Sequence, residues 1–219
     1  MISKPDLHYE KELWKAGFQY IAGLDEAGRG ALAGPVVAAV VILPDDNRHL
    51  ERTLSGVNDS KLLTPSARDQ LTPRIKKFAF AWGAGFATSL EIDSLGVVAA
   101  TRLAALRALE YIPVVPDYLL TDFRLELPEL DIPQISLVKG DQKSLSIAAA
   151  SILAKTARDE YMHELDSQYS QYGFARHKGY GTLKHREVIA RIGQSPIHRK
   201  SFTLKNIINH ELDLDAEER

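Results

Sequence analysis

Apolar positions in this chain fall into two kinds of run, and their alternation sets the expected architecture. Residues 19–26 and 36–43 are short and nearly continuous in apolar character. The second run is β-branched, which predicts a strand buried on both faces. Residues 78–88, 118–121 and 134–138 predict three further strands. Between them, apolar residues recur at helical spacing. Residues 9–17 predict a short amphipathic helix with Leu13 and Trp14 inward. Residues 91–111 predict a long one through Leu95, Val98, Leu103, Leu106 and Leu109, stopped by Pro113 and Pro116. Thr64-Pro65 supplies a cap followed by proline at the first helical position, and the helix it opens is expected to run to residue 77. Residues 144–169 are helical and carry Ala148, Ala149 and Ala150, small enough to let the helix lie close on a sheet. Thr182 caps a last helix over 183–192, ended by Gly193 and Pro196.

Strands alternating with helices give an α/β layered fold. The division expected is a body over residues 1–170 and a helical C-terminal extension over 171–219. A chain of 219 residues can bury one substantial core. The sequence holds no cysteine, which excludes disulfides and thiolate metal sites. No apolar run approaches the ~20 residues of a membrane span, and the first residues lack a signal pattern, so a cytoplasmic location without membrane association is expected.

The net charge of −2 conceals an asymmetry. Residues 174–205 hold Arg176, Lys178, Lys184, Arg186, Arg191, Arg199, Lys200 and Lys205 against the single acid Glu187. Gly179, Tyr180 and Gly181 interrupt the cations, which favours a surface for a polyanion over a merely solvated face. His185, His198 and Arg199 read as surface or packing residues. Glu211, Asp213, Asp215, Glu217 and Glu218 then form an acidic tail, expected to be mobile.

Candidate chemistry lies at strand ends, where ligands collect in open α/β sheets. Asp25 and Glu26 close the first strand, Asp122 closes a later one, and Asp141 follows another just before a helix. Adjacent strand residues point to opposite faces. Asp25 and Glu26 therefore share a site only if the chain bends there, and Gly28-Arg29-Gly30 supplies the bend. Clustered carboxylates suit hard, oxygen-seeking Mg²⁺ or Mn²⁺. The acids alone also fit a junction resolvase or strand-transfer nuclease, and the cationic segment alone fits a non-catalytic nucleic-acid-binding module. Lys61, in a polar loop before a helix, is placed to hold a phosphate. Lys155 and Arg158 share a helix face, placed either to reach substrate or to pair with acids such as Asp159.

Asp25-Glu26-Ala27-Gly28-Arg29-Gly30 with Gly34-Pro35, then Asp59-Ser60-Lys61 and Lys139-Gly140-Asp141, resemble ribonuclease HII in identity and order. So do the block from Ser146 to Lys155, Gly179-Tyr180-Gly181-Thr182 and His198-Arg199-Lys200-Ser201-Phe202. The resemblance implies a ribonuclease H-like mixed central sheet flanked by helices, with a helical C-terminal extension. It implies an endonuclease of ribonucleotide excision repair, with a monomer as the default expectation. Such an enzyme cuts the RNA strand of RNA–DNA hybrids and cuts 5′ of single ribonucleotides in duplex DNA. Two-metal catalysis with Mg²⁺ or Mn²⁺ then leaves 3′-hydroxyl and 5′-phosphate ends. By motif position, Asp25, Glu26, Asp122 and Asp141 are the metal-binding acids. Gly28, Arg29 and Gly30 read the 2′-hydroxyl, the group that separates RNA from DNA. Tyr180 packs on the sugar at an RNA–DNA junction. Two departures stand out: Leu62 replaces a second lysine after Lys61, and Phe123 replaces the glycine after the third acid.

Overall fold

The computed structural model describes residues 4–47, 49–123 and 125–202. The acidic tail and Lys205 lie outside the described residues. Five strands form one sheet: β1 (Ile21–Ala27), β2 (Val36–Ile42), β3 (Ala81–Ala87), β4 (Tyr118–Asp122) and β5 (Gln134–Leu137). Their spatial order is β3-β2-β1-β4-β5. β2 is antiparallel to both β1 and β3, while β1, β4 and β5 run parallel, so the sheet is mixed. All five strands predicted from the apolar runs are present. The one predicted over 78–88 starts later, because Phe78 completes the preceding helix, α3 (Pro65–Phe78).

The remaining helices are α1 (His8–Lys15), α2 (Leu50–Thr53), α4 (Ser89–Leu95), α5 (Val97–Glu110), α6 (Leu145–Gln168), α7 (Phe174–His177) and α8 (Leu183–Ile192). Strand alternation divides the core between the two sheet faces. Ala27, Ala39, Val41 and Leu43 pack with the alanines of α6 on one side. Leu24, Ala38, Val40 and Ile42 pack with Ala100, Ala104, Ala105 and Ala108 of α5 on the other. Small residues let both helices approach the sheet closely. At Gly23 a Cβ would lie 2.3 Å from the backbone of Ser146 in α6, and at Gly85 one would lie 2.2 Å from the Ala104 carbonyl of α5.

The periodicity predicts one helix over 91–111, whereas the chain forms two. Gly96 adopts φ +80° and ψ 155°, which breaks the helix although the apolar spacing continues across it. Thr88 also starts α4 earlier than the spacing indicates, through a capping box with Glu91. The Thr64 and Thr182 caps form as expected, each side chain accepting from the amide three residues on.

Glu10 of α1 is buried against the start of α6. Its Oε1 accepts from Ser144 Oγ at 2.6 Å, Ser146 Oγ at 2.6 Å and the Ser146 amide at 2.9 Å. Burial nevertheless raises its pKa above the usual carboxylate value. This contact fixes the N-terminus of α6, the helix that carries Ser151, Lys155 and Arg158.

Candidate active site

Parallel strands β1 and β4 lie side by side, so their C-terminal ends deliver Asp25, Glu26 and Asp122 to one edge of the sheet. β1 continues through both acids to Ala27 and remains paired with β2, so the backbone does not bend at the pair. Asp25 shares the α6 side of the sheet with Ala27, and Glu26 the opposite side with Leu24. They are nonetheless joined by charge, because Asp122 beside them raises the pKa of each. Asp141 follows β5 in a single turn of 3₁₀ helix (Gly140–Gln142). The Gly140 amide of that turn donates to Asp122 Oδ1 at 2.7 Å, tying the third and fourth acids together.

Electrostatics shows how tightly the four are gathered. Asp25 is raised well above the ordinary carboxylate value by burial, then by the charges of Glu26 and Asp122. Glu26 is raised by burial, against the opposing charge of Arg29. Asp122 is raised by burial, against the bond from Gly140. Asp141 is pushed up to about 7 by burial and then by Asp59 and Asp122. Partial desolvation alone would depress Lys61, but Asp25, Asp59, Asp141 and Glu26 raise it overall and hold it charged. Lys61 therefore faces the same cluster. Asp117, the other aspartate near β4, lies at the far end and accepts from the Gln19 and Tyr20 amides at 2.8 and 2.9 Å. Its role is structural.

Asp59 is a fifth acid that sequence reasoning did not single out, although its motif was noted. Its Oδ1 accepts from the Lys61 amide at 2.9 Å and its Oδ2 from Gln142 Nε2 at 3.3 Å. It thereby ties the Lys61 loop to the Asp141 turn. The donor set is all oxygen, mutually repelling and largely desolvated, and Glu26 Oε2 is buried without a partner. Such a set is stabilised by uptake of a hard divalent cation. Among the described residues no three acids form a ready-made metal cage. The carboxylates are neighbours coupled through charge.

Gly28, Arg29 and Gly30 follow directly. Arg29 Nη1 lies 3.5 Å from Glu26 Oε1, so the loop touches the acid cluster. Gly28 has φ +93°, and a Cβ there would lie 1.9 Å from Arg158 Nε, so no other residue fits. Gly30 is exposed, and no atom lies within 4 Å of where its Cβ would be, which leaves its backbone open to a ligand.

Two buried arginines hold this loop from behind. Arg199 Nε donates to Gly34 O at 3.0 Å, Nη1 to Arg29 O at 2.8 Å and Nη2 to Gly28 O at 2.7 Å. Burial, then the charge of Arg158, lowers its pKa to about 9. The cationic run is thus not all surface, and Arg199 belongs to the loop's support. Arg158 is a correction to the expectation of substrate contact. It is fully buried, with Nε on Pro35 O at 2.9 Å and Nη2 on Ala33 O at 3.2 Å. Its guanidinium carbon lies 5.1 Å from the Tyr180 ring centre, and Lys155 Nζ lies 5.5 Å from it. Lys155 pairs with Asp159 at 2.7 Å, and Arg68 approaches the same carboxylate at 3.3 Å. Tyr180 is itself partly exposed, beside the loop.

A mixed five-stranded sheet with carboxylates gathered at the ends of its parallel strands defines the class of ribonuclease H-like nucleases. The ribonuclease HII family model matches residues 22–205, and the chain belongs to that family. Ribonuclease HII of Desulfitobacterium hafniense (strain Y51) is 54% identical over 196 residues, 90% of this chain and 73% of that protein. Among solved structures, ribonuclease H2 from Pyrococcus horikoshii OT3 has a TM-score of 0.70 at 26% identity, covering 87% of this chain and 97% of the other. The ribonuclease HII of Archaeoglobus fulgidus, solved in complex with PCNA, has a TM-score of 0.70 at 27% identity over 84% and 96%. The chain is an enzyme, a ribonuclease of a metal-dependent family. Among the described residues no helix is long and apolar enough to cross a membrane.

Proposed function

We propose that this enzyme cuts the RNA strand of RNA–DNA hybrids and cuts 5′ of single ribonucleotides in duplex DNA, leaving 3′-hydroxyl and 5′-phosphate ends. The observation that carries the proposal is the direct contact between the acid cluster and the glycine loop, through Glu26 and Arg29. Asp25, Glu26, Asp122 and Asp141 would hold Mg²⁺ or Mn²⁺, with Asp59 bracing Asp141 and Lys61. Two ions held there would supply Lewis-acid charge stabilisation for an in-line phosphoryl displacement.

The chain itself supplies positioning. Lys61, held charged by the surrounding acids, neutralises a backbone phosphate. Gly28, Arg29 and Gly30 read the 2′-hydroxyl, with Gly30 presenting the open backbone and Arg199 holding the Gly28 and Arg29 carbonyls behind it, and the partly exposed Tyr180 ring packs on the adjoining sugar. Lys155 and Arg158 act through Tyr180, on whose ring they lie. Residues 1–170 are assigned as the catalytic body and 171–219 as the extension, from which Tyr180 completes the reader. The enzyme works as a monomer in the cytoplasm.

Asp25→Asn tests the assignment. Cutting of a duplex with one ribonucleotide is expected to fall on the order of 10³-fold or more, with the fold retained by circular dichroism. An active, metal-responsive variant would overturn the assignment.

A further inference from the structure

Three histidines beyond the acid site surround the backbone that carries Tyr180, and their ring protons are fixed by groups of unambiguous polarity. The Ser195 amide, which can only donate, lies 2.9 Å from His198 Nδ1, so that nitrogen accepts. The Ser195 hydroxyl adds a second donor to it at 2.7 Å. His198 therefore carries its proton on Nε2, which lies 3.1 Å from His185 Nε2. That nitrogen must accept, which leaves the His185 proton on Nδ1. His185 Nδ1 lies 2.9 Å from the Tyr180 carbonyl, which can only accept. Every donor along this path meets an acceptor with both rings neutral.

Other contacts hold the same short segment. The Gly179 amide donates to His177 Nδ1 at 3.3 Å, and His177 Nε2 faces Tyr172 O at 2.9 Å. The His177 ring stacks on His185 at 4.2 Å, and Phe174 closes over His185 edge-on. Gly179 O accepts from the Leu32 amide at 2.8 Å, which joins the segment to the loop that begins at Gly28. His185 and His198 are fully buried, and burial lowers both to about 4, consistent with neutral rings.

We infer that His198 and His185 form a directional hydrogen-bond relay that positions Tyr180 against the duplex. Neither imidazole reaches substrate; both are positioning residues. The inference rests on the reading of Tyr180 as a sugar contact. His198 also directly precedes Arg199, so one dipeptide supports both halves of the reader: His198 through His185 to Tyr180, and Arg199 to Gly28 and Arg29.

The test has two parts, both on the full chain. Long-range proton–nitrogen NMR at pH 7 on protein labelled with ¹⁵N-histidine reads the tautomers. The result expected is His185 as the Nδ1–H form and His198 as the Nε2–H form; His185 carrying its proton on Nε2 would overturn the relay. Kinetics then compares wild type, His185→Phe and His185→Asn on a duplex with one ribonucleotide. Asn keeps a donor near the Nδ1 position, and Phe removes it. Phe is expected to raise KM about tenfold with kcat changed less than about twofold, Asn to restore KM to within about threefold, and Phe to add nothing in a Tyr180→Ala background. Unchanged KM in His185→Phe, equal defects in both variants, or an undiminished effect of Phe without the Tyr180 ring would overturn it. If His185→Phe does not fold, His185→Asn and the tautomers decide. A wild type that cuts no ribonucleotide-containing duplex overturns the proposed activity alone, and the tautomers then decide the relay.

Discussion

Arg199 reaches back 171 positions along the chain to donate from Nη2 to the Gly28 carbonyl at 2.7 Å. With its bonds to Arg29 and Gly34, this one guanidinium fixes three carbonyls of the loop beside the acid cluster. A planar fork suits the task and an ammonium does not. Arg199→Lys keeps the charge but cannot serve three diverging acceptors. Roughly 1–3 kcal/mol of stability is expected to be lost for each buried carbonyl left without a donor, read by urea unfolding. Unchanged stability would show that the loop holds its shape without Arg199.

Glu10 makes a second long-range tie. Glu10→Ala removes the acceptor shared by Ser144 and Ser146, and a loss of roughly 2–4 kcal/mol is expected from the buried hydrogen bonds involved. Glu10→Gln retains an acceptor oxygen and is expected to cost less, since burial already disfavours the charged form. Urea unfolding of the two variants separates these outcomes.

Asp141 sets a pH dependence of opposite sign to the usual carboxylate. Its folded pKa of about 7 lies above the ordinary value of 3.8, so the folded chain binds this proton more tightly than the unfolded one. Between those values, Asp141 therefore destabilises the metal-free protein as pH rises. Buried His185 and His198 act in the other direction, losing stability as pH falls from 6.5 towards about 4. The difference in melting temperature between wild type and Asp141→Asn isolates the acid. Without metal, the variant is expected to gain relative to wild type as pH rises from 4 to 8. A constant difference would contradict the coupling.

Metal uptake follows the same logic. Protonated acids must release protons to bind a cation, so affinity for Mn²⁺ is expected to rise with pH through about 7, the Asp141 value. Calorimetry in buffers of different ionisation enthalpy reads the proton release directly. Binding without proton release would contradict the raised carboxylates.

The strands were legible because continuous apolar runs leave little else possible for residues such as those of β2, which is buried throughout. The break at Gly96 was not, since apolar spacing runs unchanged across it and only the backbone departs. Asp25, Glu26, Asp122 and Asp141 stood out by their place at strand ends, and the structure gathers all four. Asp59 was hidden because it lies 82 residues before Asp141 in a loop, where an aspartate reads as a turn residue. Arg199 reads as a surface or packing residue and Arg158 as reaching substrate or pairing with an acid, and the sequence does not choose between the alternatives. Cations in a basic setting suggest a surface, and nothing local reveals that distant backbone carbonyls bury them.

The central claim is that cutting requires both the acid cluster and a ribose beside it. Three duplexes of identical sequence, carrying no, one or several ribonucleotides, test it most directly when incubated with the enzyme in Mg²⁺ and in Mn²⁺. Cleavage is expected 5′ of the single ribonucleotide and within the run of several, with the all-DNA duplex left intact. Equal cutting of the all-DNA duplex, or no cutting of either ribonucleotide-containing duplex in both metals, would contradict it.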